Sequence, residues 1–568
     1  MTPNLLIKKT FDSTPKSKED IKKGKLRRWL FYFLNVIVIC CVIYVLTSTV
    51  DTYIKIFSLP TSEIISSIAD DEFYVLQVSK NFAQGNGVTF DGIAPTTGFH
   101  PLYFLLLSLI YVIGNPDVVT FLMSSIVLKT FFYLFSAILI FIIVEKLSFN
   151  LFYRKQLGII ISLIFIAHPY MLFLIFSGLE QLILIFFFLC FLLCYININM
   201  TKEKKAGKSF VFCGILLGLT YLSRTDIIIL LPLIVILIIF LQRKNLKNVV
   251  LFTLGFLVII IPWYLFIYFN TGSLAQDSGA VKMFLNESAI LPFGERFLSS
   301  WKFINKFWWP FLNHELSYLY KLFWGLFFIT GVGLILNNVS IQKSRKWLSN
   351  NLTSTSVTPL LVKINIQVAG ICMFYTIVIA ITYGFLFSSA REWYYSLSIV
   401  AVSLMFFISI NFLFLSIKNQ TLSVFSILMI VLSSIFVFSG MVSDQNFHLG
   451  KYKNQKEMMV VSKWMKQNLP KSAIIGSWNS GIFGYFSERK VVNLDGLINN
   501  DILKYLQSKS LYNYMEKRKI NYIIDYDVML YWQEKYFGKS LKEMSLSRDT
   551  TFSGTWQLSD ISVWRITY

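Results

Sequence analysis

The chain has 568 residues, of which 55% are hydrophobic, only 15% are charged and 54 are Phe, a composition too apolar for a soluble protein of this length. The 52 basic and 31 acidic residues leave a net charge of +21, but the excess falls in short segments between apolar runs, where it orients helices and gives no reason to invoke nucleic acid. Cys40, Cys41, Cys190, Cys194, Cys213 and Cys372 all lie inside apolar runs, with neither a disulfide framework nor a metal-type spacing.

Residues 1–28 form a basic segment with Lys22, Lys23, Lys25, Arg27 and Arg28 before the first apolar run. It lacks the short apolar core and cleavage site of a signal peptide, so the helix that follows reads as an anchor. Candidate spans lie near 29–49, 119–145, 157–176, 180–199, 209–222, 227–241, 249–269, 319–336, 365–387, 394–416 and 421–439. A crossing needs about 20 apolar residues, and several of these runs are shorter than that. The run at 101–113 is short and opens on His100-Pro101, which suits a helix in the interface. With Lys and Arg loops inside, these runs make eleven to thirteen crossings, a transmembrane domain over 29–439 with its first outer loop at 50–100, a cytoplasmic N-terminus and an outer tail at 440–568.

That topology sets every polar cluster on the outer face: "ADDEFY" at 69–74, "SGLEQ" at 177–181, "SRTD" at 223–226, "NTGSLAQDSGAVK" at 270–282 and "SSAREWYY" at 388–395. Apolar residues at helical spacing on both sides of the acids suggest short amphipathic helices along the outer surface. Asp70 and Asp71 then have two readings. They are acids at a helix N-terminus, stabilised by its dipole, or one is a general base with a divalent metal on the second carboxylate. His100 either caps a helix or ligates that metal, so the candidate metal set is Asp71, Glu72 and His100 with Mg or Mn.

Arg224 and Asp226 interrupt two apolar runs, and an ionisable residue at that depth is a functional hypothesis by default. Pairing of Arg224 with Asp226 or with Glu180 is the structural alternative. Lys282 and Arg391 add cations on the same face, and three cations with several carboxylates suit an anionic, lipid-linked substrate. Trp393, Tyr394 and Tyr395 line the path of that substrate or form an interfacial aromatic belt.

After residue 440 the period changes. "KEMMVVSKWMKQNL" reads as a helix, "SAIIGS", "RKVVNLDG" and "INYIIDY" as strands, and "NDILKYLQS" and "LYNYMEKRK" as helices. This is the pattern of a small α/β domain with a partly parallel sheet, expected to cap the membrane site. It has no Gly-rich phosphate loop and so no sign of a nucleotide cofactor.

The acidic pair followed by "NFAQGNGVTFDGIAPTTGFHPLY", then "SGLE", "LSRTD", "GSLAQDSGAVK", "REWYY" and "GYFSERKVVNLDGLIN", resembles bacterial polytopic glycosyltransferases of the GT-C class. Relatives there include lipid A aminoarabinose transferases, protein O-mannosyltransferases and mycobacterial arabinofuranosyltransferases. The resemblance implies transfer of a sugar from a polyprenyl-phosphate donor to an envelope glycan, lipid or protein acceptor outside the membrane. It also implies Asp70 as the catalytic base, Asp71 at a position held by Asp or Glu in relatives, and Arg391, Arg224 and Lys282 on the donor phosphate. Glu180, Asp226, His100, Trp393, Tyr394 and Tyr395 remain for substrate binding. A transporter or flippase for an anionic polyprenyl lipid would also place Arg and Asp in the membrane, although no internal repeat supports one.

Overall fold

The computed structural model describes residues 18–149, 153–200, 207–241, 246–272, 274, 276–287, 295, 359–383, 392–416, 451–499 and 501–568. Each apolar run within the described residues coils into a helix, because a helix satisfies its own backbone inside lipid. In chain order these are α1 (Lys18–Phe57), α2 (Thr61–Ile65), α3 (Asp70–Ala83), α4 (Pro101–Gly114), α5 (Val118–Leu147), α6 (Arg154–Ala167), α7 (Pro169–Phe176), α8 (Gln181–Met200), α9 (Gly207–Ser223), α10 (Leu230–Leu241), α11 (Leu246–Thr271), α12 (Asp277–Glu287), α13 (Pro359–Ile381) and α14 (Ser396–Ser416).

Among the described residues six helices are long and apolar enough to cross a membrane, or seven if a bent pair counts as one span. The protein is an integral membrane protein. The run at 157–176 is that pair, α6 and α7 meeting at 53°. Pro169 lacks an amide hydrogen and forces His168 out of the helical region (φ −64°, ψ 116°). Runs 209–222 and 227–241 form helices shorter than 18 residues, while 319–336 and 421–439 lie outside the described residues. The run at 101–113 is the 14-residue α4.

The tail opens with α15 (Asn454–Asn468), then alternates β1 (Ile474–Ser477), α16 (Ser480–Ser487), β2 (Lys490–Asn493), α17 (Leu503–Gln507), α18 (Leu511–Lys517), β3 (Tyr522–Tyr526) and α19 (Asp527–Gln533), and closes with β4 (Ser545–Phe552) and β5 (Ile561–Thr567). The sheet order is β2-β1-β3-β5-β4. β1 runs parallel to β2 and β3, while β5 is antiparallel to β3 and β4. The parallel half is the one legible in the sequence. β4 alternates half-exposed and exposed residues, so it carries no buried apolar stripe. The carboxyl ends of β1 and β2 turn toward α3, and through that contact the sheet meets the membrane part of the chain.

Candidate active site

Asp70, Asp71 and Glu72 occupy the first turn of α3. Successive residues on a helix point about 100° apart, so the three acids face three different neighbours. The Asp70 carboxylate reaches the N-terminus of α16: the amides of Gly481 and Ile482 donate to its Oδ2 and Oδ1, both at 2.9 Å. Free amides at a helix start are a ready anion site, and here the chain fills it with its own carboxylate. A methyl at Gly481 would come within 2.4 Å of the Asp70 carbonyl oxygen, so only glycine admits this approach. Burial pushes the Asp70 carboxyl up to about 6, with the two amides opposing and Asp71 adding to the rise.

Glu72 points the other way and is fully buried. Its Oε1 accepts from the Tyr103 hydroxyl at 2.6 Å, the Ser125 hydroxyl at 2.8 Å and the Lys129 ammonium at 3.0 Å, and its Oε2 accepts from the Leu179 amide at 2.9 Å. Burial alone would raise the Glu72 carboxyl, but Lys129 and the hydroxyls outweigh it and hold the group below the usual range. The "SGLE" segment thus secures α3, since Ser177 also accepts from the Ala69 amide at 2.7 Å.

Asp71 takes the third direction, half-buried. Its charge acts on Lys282 of α12 and on Asp495, which follows β2. Lys282 donates to the Tyr394 hydroxyl at 2.9 Å and lies 5.5 Å from the centre of that ring. Burial pulls its ammonium down, but Tyr394 and Asp71 pull it up by more, so Lys282 stays charged. Tyr383 stacks on Tyr394 with ring centres 4.3 Å apart and donates to Asp226 at 2.9 Å.

The buried Arg224 supplies the other described cation. The chain leaves α9 after Ser223 and turns extended at Arg224 (φ −156°, ψ 124°) before a short 3₁₀ turn, which aims the side chain inward. Its guanidinium meets Glu180 at 2.7 Å and Asp226 at 2.9 Å, so both pairings weighed from the sequence are made together. Its Cζ also lies 5.2 Å from the Tyr394 ring centre. Thr225 donates to Gln276 at 3.1 Å, and Gln276 donates to the Phe99 carbonyl at 2.8 Å, which ties the "SRTD" turn to the loop before His100.

His100 sits at the N-cap of α4 with no side-chain capping bond. Its Nε2 is 3.4 Å from Glu180, and its buried Nδ1 finds no hydrogen-bond partner among the described residues. Burial foremost, helped by Arg224 and Lys282, keeps the ring below its ordinary pKa and neutral. The candidate metal set Asp71, Glu72 and His100 is not gathered around one point among the described residues. Glu72 is committed to Lys129 and three other donors, His100 lies against Glu180, and among the described residues no group of three His, Cys, Asp or Glu is arranged to hold a metal. Trp393 is half-buried and Tyr395 fully buried. Arg391 lies outside the described residues.

Three participants were not picked from the sequence. Lys129 was absorbed into an apolar span, although a lone cation in such a run is itself a signal. Tyr383 and Asp495 carried no local signal, because the carboxylates that act on them, Asp226 and Asp71, lie more than 100 positions away.

The membrane helices and the mixed-sheet tail together share their fold with a solved oligosaccharyltransferase. The crystal structure of the Archaeoglobus fulgidus oligosaccharyltransferase in complex with Zn and sulfate matches at a TM-score of 0.50 and 15% identity, covering 85% of this chain and 68% of that one. ArnT from Cupriavidus metallidurans bound to undecaprenyl phosphate matches at a TM-score of 0.49 and 11% identity, covering 93% of this chain and 98% of that one. At such identities the likeness is one of fold. A family described as a domain of unknown function (DUF8728) matches residues 445–564, within the tail. No curated protein matches in sequence.

Proposed function

We propose that the protein is a glycosyltransferase that moves a sugar from a polyprenyl-phosphate donor to a cell-envelope glycan, lipid or protein acceptor. The reaction takes place on the outer face of the plasma membrane, with the N-terminus cytoplasmic and the 440–568 tail outside. The observation that supports this reading is Lys282, a charged ammonium that donates to the Tyr394 hydroxyl and is held charged in part by Asp71: an anion-binding group on an aromatic face, under the influence of a carboxylate. Arg224 is a weaker phosphate ligand than its charge suggests, since Glu180 and Asp226 already occupy its fork. Arg391 keeps its proposed place on the donor phosphate.

The chemistry is direct displacement. The acceptor hydroxyl oxygen attacks the anomeric carbon, the bond from that carbon to the phosphate oxygen breaks, and polyprenyl phosphate leaves with the bonding pair. One carboxylate takes the hydroxyl proton and no covalent sugar–enzyme intermediate is needed, so configuration inverts. Within the acidic pair, Asp71 is the better placed base, because both Asp70 oxygens accept amides of α16. Lys282 faces charge that grows on the departing phosphate oxygen, and so favours the transition state over the ground state.

The test uses purified full-length protein in nanodiscs with undecaprenyl phosphate as probe. Wild type should bind it saturably and Lys282→Ala at least tenfold more weakly, while Asp71→Asn should bind normally yet fail to restore the envelope glycan of a deletion strain. Absence of saturable binding in wild type, or full restoration by both variants, overturns the proposal.

A further inference from the structure

The last hairpin of the tail meets the chain where α1 ends. The apolar span of α1 covers Phe31–Phe57, and Val50, Ile54 and Phe57, spaced along one helical face, are exposed on it. Such a stripe on a spanning helix faces lipid. Two residues past the span, Leu59 lines a cavity of about 470 Å³ together with Thr555 of the loop between β4 and β5. Glu63 of α2 and Lys456 of α15 pair across the same cavity, and the Glu457 carboxylate accepts the Thr555 amide at 3.0 Å. These contacts hold the loop at 553–560 at the level where α1 leaves the bilayer.

That loop presents apolar groups instead of burying them. Its neck is tight, for a methyl at Gly554 would lie 2.2 Å from the Ser559 carbonyl oxygen. At its tip Gln557 (φ 52°, ψ 27°) and Leu558 (φ 54°) are consecutive residues in the left-handed region, a conformation that is costly for any residue with a side chain. Leu558 is 98% exposed. The Trp556 ring lies 5.1 Å from that of Tyr526 and 6.0 Å from that of Trp532, and on α19 both Tyr531 and Trp532 are exposed. A leucine, two tryptophans and a tyrosine thus form one surface patch. Patches of this kind mark contact sites, and Trp and Tyr favour the bilayer interface, where one end of the ring is apolar and the other wet.

We propose that the loop at 553–560, with Tyr531 and Trp532, docks on the lipid surface where α1 leaves it, seating Trp556 and Leu558 at the boundary between headgroups and acyl chains. Lipid fits the patch better than a sugar does, because the most exposed side chain is an aliphatic one with no ring to stack. It also fits the position, since the patch continues the lipid-facing stripe of α1 past Leu59. Lys453 and Lys456 with Glu63 and Glu457 give the adjoining cavity both signs of charge, as a zwitterionic headgroup layer has. The tail then has two attachments, one on α3 through α16 and one on the bilayer, which hold its sheet in one orientation. The inference needs the membrane span of α1 and not the transferase reading.

The experiment places a nitroxide label on Leu558→Cys in full-length protein whose six native cysteines are replaced, reconstituted in nanodiscs of phosphatidylethanolamine and phosphatidylglycerol. Oxygen, which concentrates in the bilayer, and a water-soluble nickel chelate are the two relaxing agents. Ser545→Cys is the reference, exposed at the far end of β4, eight residues or roughly 25 Å of strand away. The ratio of oxygen to nickel accessibility at Leu558→Cys should exceed that at Ser545→Cys at least threefold, and the excess should vanish in detergent-free fragments of neither lipid nor disc only if the bilayer supplies it, so the same label is also read in a short-chain detergent, where the ratio should fall. Gln557→Cys, the adjacent exposed position, repeats the measurement if the first variant does not fold. A label as open to nickel as the reference means the loop stands in water and overturns the proposal. A label shielded from both agents means that protein or glycan covers the patch, and overturns it equally.

Discussion

Glu72 and Asp71 are consecutive residues on one turn of α3, yet they belong to two different regions. On the membrane side Glu72 is sealed against Lys129, with four donors on its two oxygens. Toward the tail the charge of Asp71 acts on Asp70 and Asp495 and, among the described cations, on Lys282. The first region satisfies every charge it buries and so fixes the position of α3. The second sets like charges against one another, which adds to the rise of the Asp70 and Asp495 carboxyls.

Removing the anion of the sealed pair should have the largest effect. Glu72→Ala leaves the Lys129 ammonium, 1% exposed, without its carboxylate, and breaking such a pair costs about 3–5 kcal/mol. Thermal unfolding in detergent should show a large loss of midpoint or of folded yield. A midpoint equal to that of wild type would mean the pair does not anchor α3.

A smaller loss is expected where Asp70 docks on α16. Gly481→Ala drives a methyl into the Asp70 backbone and carboxylate, and overpacking of this kind costs about 1–3 kcal/mol. Asp70→Ala removes an acceptor at a helix N-terminus and should cost about 0.5–2 kcal/mol. If the two variants were combined, the losses should fall short of their sum, because they break one contact. Additive losses would separate Gly481 from Asp70.

A further effect is the pH dependence of the carboxyl groups near the tail. Asp70 and Asp495 have folded values of about 6 and about 7, against 3.8 for the free side chain. The folded state therefore holds protons that the unfolded chain has released. The stability these groups contribute is complete below about pH 4 and is lost as pH rises through about 7. Asp495→Asn should flatten that part of the decline in unfolding midpoint between pH 4 and 7, while Glu72→Gln, which removes a carboxyl that folding depresses from 4.5, should leave the slope above about pH 5.5 unchanged. An unchanged slope in Asp495→Asn would mean that Asp495 titrates like a solvent-exposed acid.

Local pattern was enough for a large part of this protein. Apolar runs about 20 residues long can only be helices in lipid, so α1, α5, α8, α11, α13 and α14 were legible from the sequence, and the strand runs of the tail gave β1, β2 and β3. Arg224 stood out because an uncompensated charge between apolar runs is costly. What periodicity cannot carry is the partner of a side chain. Asp70 meets an amide 411 positions away, Glu72 an ammonium 57 away and Lys282 a phenol 112 away, and nothing within one helical turn of any of them specifies the match.

The sequence by itself determined that the chain spans a membrane, where its helices lie and that three acids sit together near one surface. Tertiary packing decided what each acid does. Neighbours on a helix point in different directions, so one docks the tail, one faces the cations and one locks the bundle, and only the elements packed around α3 assign those roles.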